Sequence, residues 1–209
     1  MTDSHYFPPA PVLERPLVDT WRARLGARLL ALAGWRGVLL QPMPMHCVLI
    51  VYPHTSNWDF PIGLAFKWMT GLNLRFLAKD SLFKGPFDRL FRHWGGIPVN
   101  RREPGGMMAT LTRALAEEPE FRIGITPEGT RSHAGHWKSG FYRLARAANV
   151  PVALAFIDYA RREVGVGAYI DLTGDVDHDL ARIAAFYAGK TGRHPERVGP
   201  IRFPDDFGE

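Results

Sequence analysis

The chain has 209 residues, of which 46% are hydrophobic and 22% charged, and this composition is typical of one globular domain rather than a collagen-like or disordered protein. It carries a formal net charge of +5, and arginine supplies 21 of the 26 basic residues. This favours an anionic partner such as a lipid headgroup, a coenzyme phosphate or a nucleic acid. The single cysteine, Cys47, excludes an internal disulfide and a cysteine-based zinc cluster.

The first forty residues are predicted to form an N-terminal arm and an amphipathic helix, which precede the main domain at residues 41–209. Residues 1–19 are rich in proline and have no apolar period, whereas residues 20–40 place leucines beside arginines, as a helix does. This helix either lies in a membrane interface or packs on the domain with its arginines in water. No stretch approaches the roughly 20 apolar residues that span a bilayer, and no secretory signal is visible, so we expect no membrane span.

Beyond residue 41, short apolar runs alternate with amphipathic segments. Because such alternation is typical of α/β proteins, it predicts a single domain with a largely parallel, mixed sheet flanked by helices. In these sheets, ligands bind where strands end and helices begin. The predicted strands are 48–52, 72–78, 97–100, 121–125, 151–159 and 163–171, the last two paired across residues 160–162. The predicted helices are 61–70, 86–94, 106–118, 140–149 and 177–188.

A histidine and a carboxylate follow the first of these strands. His54 and Asp59 lie between Pro53 and Pro61, so a strand that ends at Pro53 and a helix that starts near Pro61 can bring them together. A histidine oriented by a carboxylate can act as a general base. The alternative is structural, with Asp59 as the N-cap of the helix and His54 as a turn residue, and one carboxylate can serve both roles. No Gly-x-Ser-x-Gly turn is present, which argues against a serine hydrolase.

Charged turns follow three of the other predicted strands. Residues 127–131 read Pro-Glu-Gly-Thr-Arg, in which Gly129 permits a close approach of the backbone to a ligand. Arg131 could hold an anion, and Glu128 could position Arg131 or an acceptor hydroxyl. The alternative is a solvated turn with a surface ion pair. The residues that we expect to bind substrate are Lys79, Arg101, Glu128, Gly129, Thr130 and Arg131.

Together these segments resemble the glycerolipid acyltransferase family, which includes the lysophosphatidic acid acyltransferases. His54 and Asp59 match its H-x-x-x-x-D block, residues 96–101 (Gly-Ile-Pro-Val-Asn-Arg) look like its second block, residues 127–131 like its third and residues 150–152 (Val-Pro-Val) like part of its fourth. The resemblance implies a fold like that of glycerol-3-phosphate acyltransferase, with His54 and Asp59 catalytic and the second and third blocks binding the acceptor. It also implies an acyl-CoA or acyl carrier protein donor. We expect no other cofactor and no metal.

The expected activity is therefore transfer of a fatty acyl group from acyl-CoA or acyl carrier protein to the hydroxyl of a lysophospholipid, first of all 1-acylglycerol-3-phosphate. Asn100, Thr126 and Leu154 depart from the family pattern, so another lysolipid such as lyso-ornithine lipid is an alternative acceptor. A thioester-independent transacylase and a lipid-binding membrane scaffold are further alternatives. No basic stripe interleaved with aromatic residues is present, which argues against nucleic acid. We expect a peripheral or monotopic protein on the cytoplasmic face of a membrane.

Overall fold

The computed structural model describes residues 7–99 and 104–207, and a seven-stranded sheet forms its centre. The strands are β1 Arg36–Leu39, β2 His46–Val51, β3 Leu74–Lys79, β4 Gly96–Val99, β5 Phe121–Ile125, β6 Val152–Asp158 and β7 Glu163–Ile170. The α-helices are α1 Trp21–Leu32, α2 Asp59–Thr70, α3 Pro86–His93, α4 Pro104–Glu117, α5 Gly140–Ala148 and α6 Val176–Tyr187. Within the sheet the strands lie in the order β1-β7-β6-β2-β5-β3-β4.

The pairing of the strands confirms the predicted α/β class. Neighbouring strands are parallel except β6 and β7, which pair antiparallel from Val152 opposite Ile170 to Asp158 opposite Glu163. The hairpin predicted from the sequence is this antiparallel pair. Parallel neighbours need long crossover connections, and α2, α3, α4 and α5 supply them between successive strands from β2 to β6.

Two apolar layers cover the faces of the sheet. Along β2, Val48 and Ile50 belong to one layer and Cys47 and Leu49 to the other, because successive side chains of a strand point to opposite faces. The first layer takes in buried side chains of α4, α5 and α6, and the second those of α1 and α2. Cys47 is buried as predicted, and burial raises the pKa of its thiol to about 12.

The N-terminal helix is shorter than the sequence predicts. It ends at Leu32 rather than at residue 40, because Gly34 takes a left-handed conformation (φ +73°) and the Trp35 N–H bonds back to the Leu30 carbonyl. Residues 36–39 then form the edge strand β1, which runs parallel to β7. The apolar run 38–40 continues the leucine-rich composition of the helix, and this similarity hid the strand in the sequence.

One face of α1 packs on α2 and the other is exposed. A Cβ at Gly26 would lie 2.4 Å from the Ala65 carbonyl oxygen, so the two helices meet through their backbones. On the outer face, Trp21 is 68% exposed and Leu32 88% exposed. Packing on the domain therefore accounts for one face of this helix and leaves apolar side chains on the other. None of the helices in the described part of the chain is long and apolar enough to cross a membrane.

Candidate active site

The carboxyl ends of four neighbouring parallel strands carry the predicted site. Strands β2, β5, β3 and β4 lie side by side and point the same way. Strand β2 leads into His54, β5 leads into the turn at residues 127–131, and β3 ends at Lys79. Because neighbouring strands are about 4.8 Å apart, the axes of β2 and β3 lie roughly 10 Å apart along this edge. Arg101, predicted to follow β4, lies outside the described residues.

A turn between β2 and α2 brings His54 and Asp59 together. His54 Nδ1 lies 3.0 Å from Asp59 Oδ2, with 14% of the His54 side chain and 2% of the Asp59 side chain exposed. The distance is that of a hydrogen bond, but the ring is not aligned for one, and Nδ1 meets no other hydrogen-bond partner in the described part of the chain. Catalytic hydrogen bonds are often loose before substrate binds and tighten afterwards.

Asp59 holds the turn and does not cap the helix. The N-cap of α2 is Trp58, and Asp59 is the first helical residue. Its Oδ2 atom accepts the backbone N–H of Ser56 at 3.0 Å, and Ser56 Oγ accepts the Trp58 N–H at 3.2 Å. The carboxylate therefore faces back toward His54, and Ser56 is bonded to backbone as a turn residue.

The second oxygen of Asp59 binds a residue that the sequence did not single out. The Tyr159 hydroxyl donates a hydrogen bond to Asp59 Oδ1 at 2.7 Å. Tyr159 follows β6, the neighbour of β2, and its ring packs edge-on against Trp35 with centroids 4.9 Å apart. Burial, and then the hydrogen bond to Asp59, raise the pKa of this phenol, so it remains a donor at neutral pH. Asp59 and Tyr159 are 100 residues apart in the chain, so no sequence-spacing rule could have predicted this contact.

Glu128 binds the backbone of the His54 turn. It is buried, and its Oε2 atom accepts the backbone N–H of His54 at 2.9 Å, while the Gly199 N–H lies 3.5 Å from Oε1. The sequence predicts that Glu128 positions Arg131 or an acceptor hydroxyl, and in the structure its carboxylate holds the backbone of the histidine. Burial raises the pKa of Glu128, and the two backbone donors offset only part of that rise.

The rest of the 127–131 turn is only partly open to a ligand. Gly129 has φ +64°, and a Cβ there would lie 2.8 Å from Lys138 Cε, so the Lys138 side chain covers it. Thr130 and Arg131 are exposed, as is Lys79 at the end of β3. Arg131 and Lys79 are therefore accessible as predicted site cations, and Lys138 is one that sequence reasoning missed.

A C-terminal segment, residues 190–199, packs against the His54 turn. The His194 N–H donates to Thr55 Oγ1 at 3.1 Å. The Arg193 guanidinium lies over the Trp58 ring, 5.8 Å from its centroid. This segment follows α6 and matches none of the four sequence blocks, so the sequence offered no signal that it reaches the site.

The polar residues of the site are not grouped as metal ligands. Within residues 7–99 and 104–207, no three histidine, cysteine, aspartate or glutamate side chains are arranged to hold a metal ion. The exposed cations near the sheet edge instead suit an anionic headgroup or a coenzyme phosphate. These cations are Lys79, Arg131, Lys138 and Arg193.

Comparison with known proteins gives the class. Residues 39–156, more than half of the chain, match the Acyltransferase family model, and the chain belongs to the acyltransferase family. The fold is similar to that in the crystal structure of the 1-acyl-sn-glycerophosphate (LPA) acyltransferase PlsC from Thermotoga maritima, with a TM-score of 0.53 and 17% sequence identity. That similarity covers 80% of this chain and 75% of the Thermotoga chain. No curated protein sequence matches the chain.

Proposed function

We propose that the protein transfers a fatty acyl group from acyl-CoA or acyl carrier protein to the hydroxyl of a lysophospholipid, with 1-acylglycerol-3-phosphate as the acceptor. The observation that carries this proposal is the His54–Asp59 pair, 3.0 Å apart at the carboxyl edge of the sheet. Membership of the acyltransferase family and the similarity of the fold to an LPA acyltransferase support it.

In the proposed reaction, His54 is the general base and Asp59 orients it. With Nδ1 turned toward Asp59, Nε2 takes the proton of the acceptor hydroxyl, and the carboxylate stabilises the imidazolium that forms. The acceptor oxygen attacks the thioester carbonyl, and the C–S bond breaks when the tetrahedral intermediate collapses. The imidazolium then protonates the leaving thiolate. The acylated lipid and the free thiol are released without an acyl-enzyme, and the acyl donor is a substrate, so no further cofactor is used.

Exposed cations at the same edge are proposed to bind the acceptor headgroup. Arg131 and Lys79 are exposed there, and Arg101 follows the neighbouring strand β4. An arginine side chain pairs with a phosphate through two parallel hydrogen bonds, which fixes the orientation as well as adding affinity. A zwitterionic acceptor such as lyso-ornithine lipid carries no phosphate and would depend less on these cations, so a panel of acceptors separates the two candidates.

Release of free thiol from acyl-CoA, followed with and without each acceptor, tests the proposal. We expect thiol release to require the lysolipid, and we expect His54→Ala to lower the rate by roughly 10²–10⁴-fold, because general-base catalysis contributes that much. His136→Ala, which changes an exposed loop histidine, is the matched control and should leave the rate unchanged.

Three outcomes contradict parts of the proposal. A folded His54→Ala protein that keeps more than about a tenth of the wild-type rate contradicts the general-base role. Acyl exchange between lipids without any thioester would instead indicate a transacylase. Lipid binding with no turnover on either donor would indicate a membrane scaffold.

We also propose that the protein acts at the cytoplasmic surface of a membrane through the outer face of α1. Trp21 and Leu32 are exposed there beside the exposed Arg22 and Arg28, a combination that suits an anionic lipid interface. Binding should weaken with salt, since each basic residue near an anionic surface contributes about 1 kcal/mol.

Point substitutions test this surface better than deletion, because removing residues 1–40 would also remove β1 and the contact between α1 and α2. Leu32→Glu should reduce co-sedimentation with phosphatidylglycerol vesicles. Met45→Glu is the control, because Met45 is exposed just before β2, at the opposite edge of the sheet from the site. Unchanged binding by Leu32→Glu and by Trp21→Ala would contradict the assignment and favour the exposed Phe87 on α3.

A further inference from the structure

The Asp59 carboxylate is in contact with three groups at once. Its Oδ2 atom lies 3.0 Å from His54 Nδ1 and accepts the Ser56 N–H at 3.0 Å. Its Oδ1 atom accepts the Tyr159 hydroxyl at 2.7 Å. His54 and Ser56 belong to the same turn as Asp59, whereas Tyr159 comes from the end of β6, beyond the span matched by the family model. The shortest of these three contacts is therefore made by a residue remote in sequence.

We propose that Tyr159 is a positioning residue for acyl transfer, whose hydroxyl fixes the Asp59 carboxylate and draws part of its negative charge away from His54. The inference rests on the proposed role of His54 as the general base. A carboxylate that accepts a strong hydrogen bond on one oxygen has less charge available on the other. Losing the hydroxyl would leave more charge facing the imidazole and favour its protonated form.

Two other charged groups lie near the His54–Asp59 pair, and they interact with atoms other than the Asp59 oxygen that Tyr159 binds. Glu128, from the turn after β5, accepts the backbone N–H of His54. Arg193, from the C-terminal segment, partly lowers the pKa of the Tyr159 phenol, which burial and Asp59 raise. Neither group bonds to Asp59 Oδ1. The edge-on contact with Trp35 holds the tyrosine ring, so removing its hydroxyl leaves the packing of the ring in place.

Tyr159→Phe tests the inference, with Tyr169→Phe as the matched control. Tyr169 is a tyrosine of β7 whose hydroxyl donates to the Leu40 carbonyl and not to the catalytic pair. We expect Tyr159→Phe to lower kcat/KM about ten- to a hundredfold, the range for one hydrogen bond to a charged group. We also expect the low-pH limb of the kcat/KM profile to move to higher pH. Tyr169→Phe should leave both unchanged.

A second readout does not depend on activity. In the free protein labelled at histidine, the NMR midpoint of His54 protonation, assigned by comparison with His54→Ala, should move to higher pH in Tyr159→Phe. An unchanged midpoint and an unchanged low-pH limb overturn the inference. A uniform loss of rate at every pH, with a lower Tm and no shift of the midpoint, also overturns it, because that pattern indicates a purely structural role.

Failure of this inference can be told apart from failure of the proposed function. If His54→Ala retains its activity, the general base is misassigned and the positioning role falls with it. If His54→Ala is inactive but Tyr159→Phe shows no shift in the midpoint, the general base stands and Tyr159 has no role in tuning it.

Discussion

Glu128 offers a sharp test of how the His54 turn is held. Glu128→Ala removes a carboxylate that is 3% exposed and leaves the partly buried His54 N–H without its acceptor. We expect this loss to cost about 1–3 kcal/mol. In Glu128→Gln the amide oxygen can keep the 2.9 Å bond, and what is lost is the 3.5 Å contact with the Gly199 N–H, at the outer limit of a hydrogen bond. We therefore expect glutamine to cost about 1 kcal/mol or less.

The difference in stability between the wild type and Glu128→Gln should change with pH in a definite direction. Burial raises the pKa of Glu128 in the folded protein above its ordinary value. An acid whose pKa is higher in the folded protein than in the unfolded protein stabilises the folded state when it is protonated. This contribution is fully present below the unfolded pKa and is lost as the pH rises through the folded pKa. Glutamine does not titrate. The free energy of unfolding of Glu128→Gln should therefore improve relative to that of the wild type as the pH rises from about 4 to 8.

Urea unfolding across this pH range measures the change in the free energy of unfolding. Steady-state kinetics measure the effect on catalysis. Because a misplacement of about 1 Å can cost roughly 10²-fold in rate, we expect Glu128→Ala to lower kcat while the acceptor KM changes little. Glu128→Gln should stay close to the wild type in both constants. If glutamine loses stability relative to the wild type as the pH rises, the carboxylate is held as a charge by a cation such as Arg131. A rise in acceptor KM alone would show that Glu128 contacts the substrate, and either result refutes the reasoning.

Two further predictions concern the helix contact and the headgroup. Gly26→Ala should destabilise the fold by about 1–3 kcal/mol, because its Cβ would meet the backbone of α2, and Tm should fall by several degrees. Gly63→Ala, at a helical glycine with open space around it, should instead stabilise by up to about 1 kcal/mol; equal Tm shifts in the two variants would contradict the close packing. Arg131→Ala and Arg101→Ala should each raise acceptor KM about ten- to a hundredfold, with lysine rescuing only in part. A rise in donor KM instead would mean that the arginines face the coenzyme phosphates.

The features that could be predicted from the sequence are those encoded by local patterns. The bounds of β5 and the end of α2 at Gly71 follow from an apolar run and from a glycine that takes a left-handed conformation at the helix C-terminus. The approach of His54 to Asp59 follows in the same way, because both residues belong to one short strand–turn–helix connection. Local chemistry fixes such features, so a single sequence is sufficient to infer them.

The features that could not be predicted depend on contacts between distant segments. β1 was hidden because pairing with β7 overrides the leucine-rich pattern that continues from α1. The partner of Glu128 is a backbone N–H, which leaves no trace in the sequence at either end. Tyr159 reaches Asp59 only because β6 lies beside β2 in the sheet. Each of these contacts follows from the strand order, and a single sequence does not contain that order.

The candidate site consists of a buried part around His54 and a solvent-accessible part formed by lysine and arginine side chains. The ring of His54 lies 3.0 Å from Asp59, its backbone N–H is bonded to Glu128, and both carboxylates are buried. Lys79 and Arg131, by contrast, are exposed at the ends of neighbouring structural elements. Catalysis requires a base whose position varies by a fraction of an ångström, whereas recognition of a headgroup tolerates changes in side-chain length and charge. Under the proposed roles, we expect substitutions at the exposed cations to change the preferred acceptor without moving the base, whereas substitutions at Asp59 or Glu128 should affect every acceptor alike.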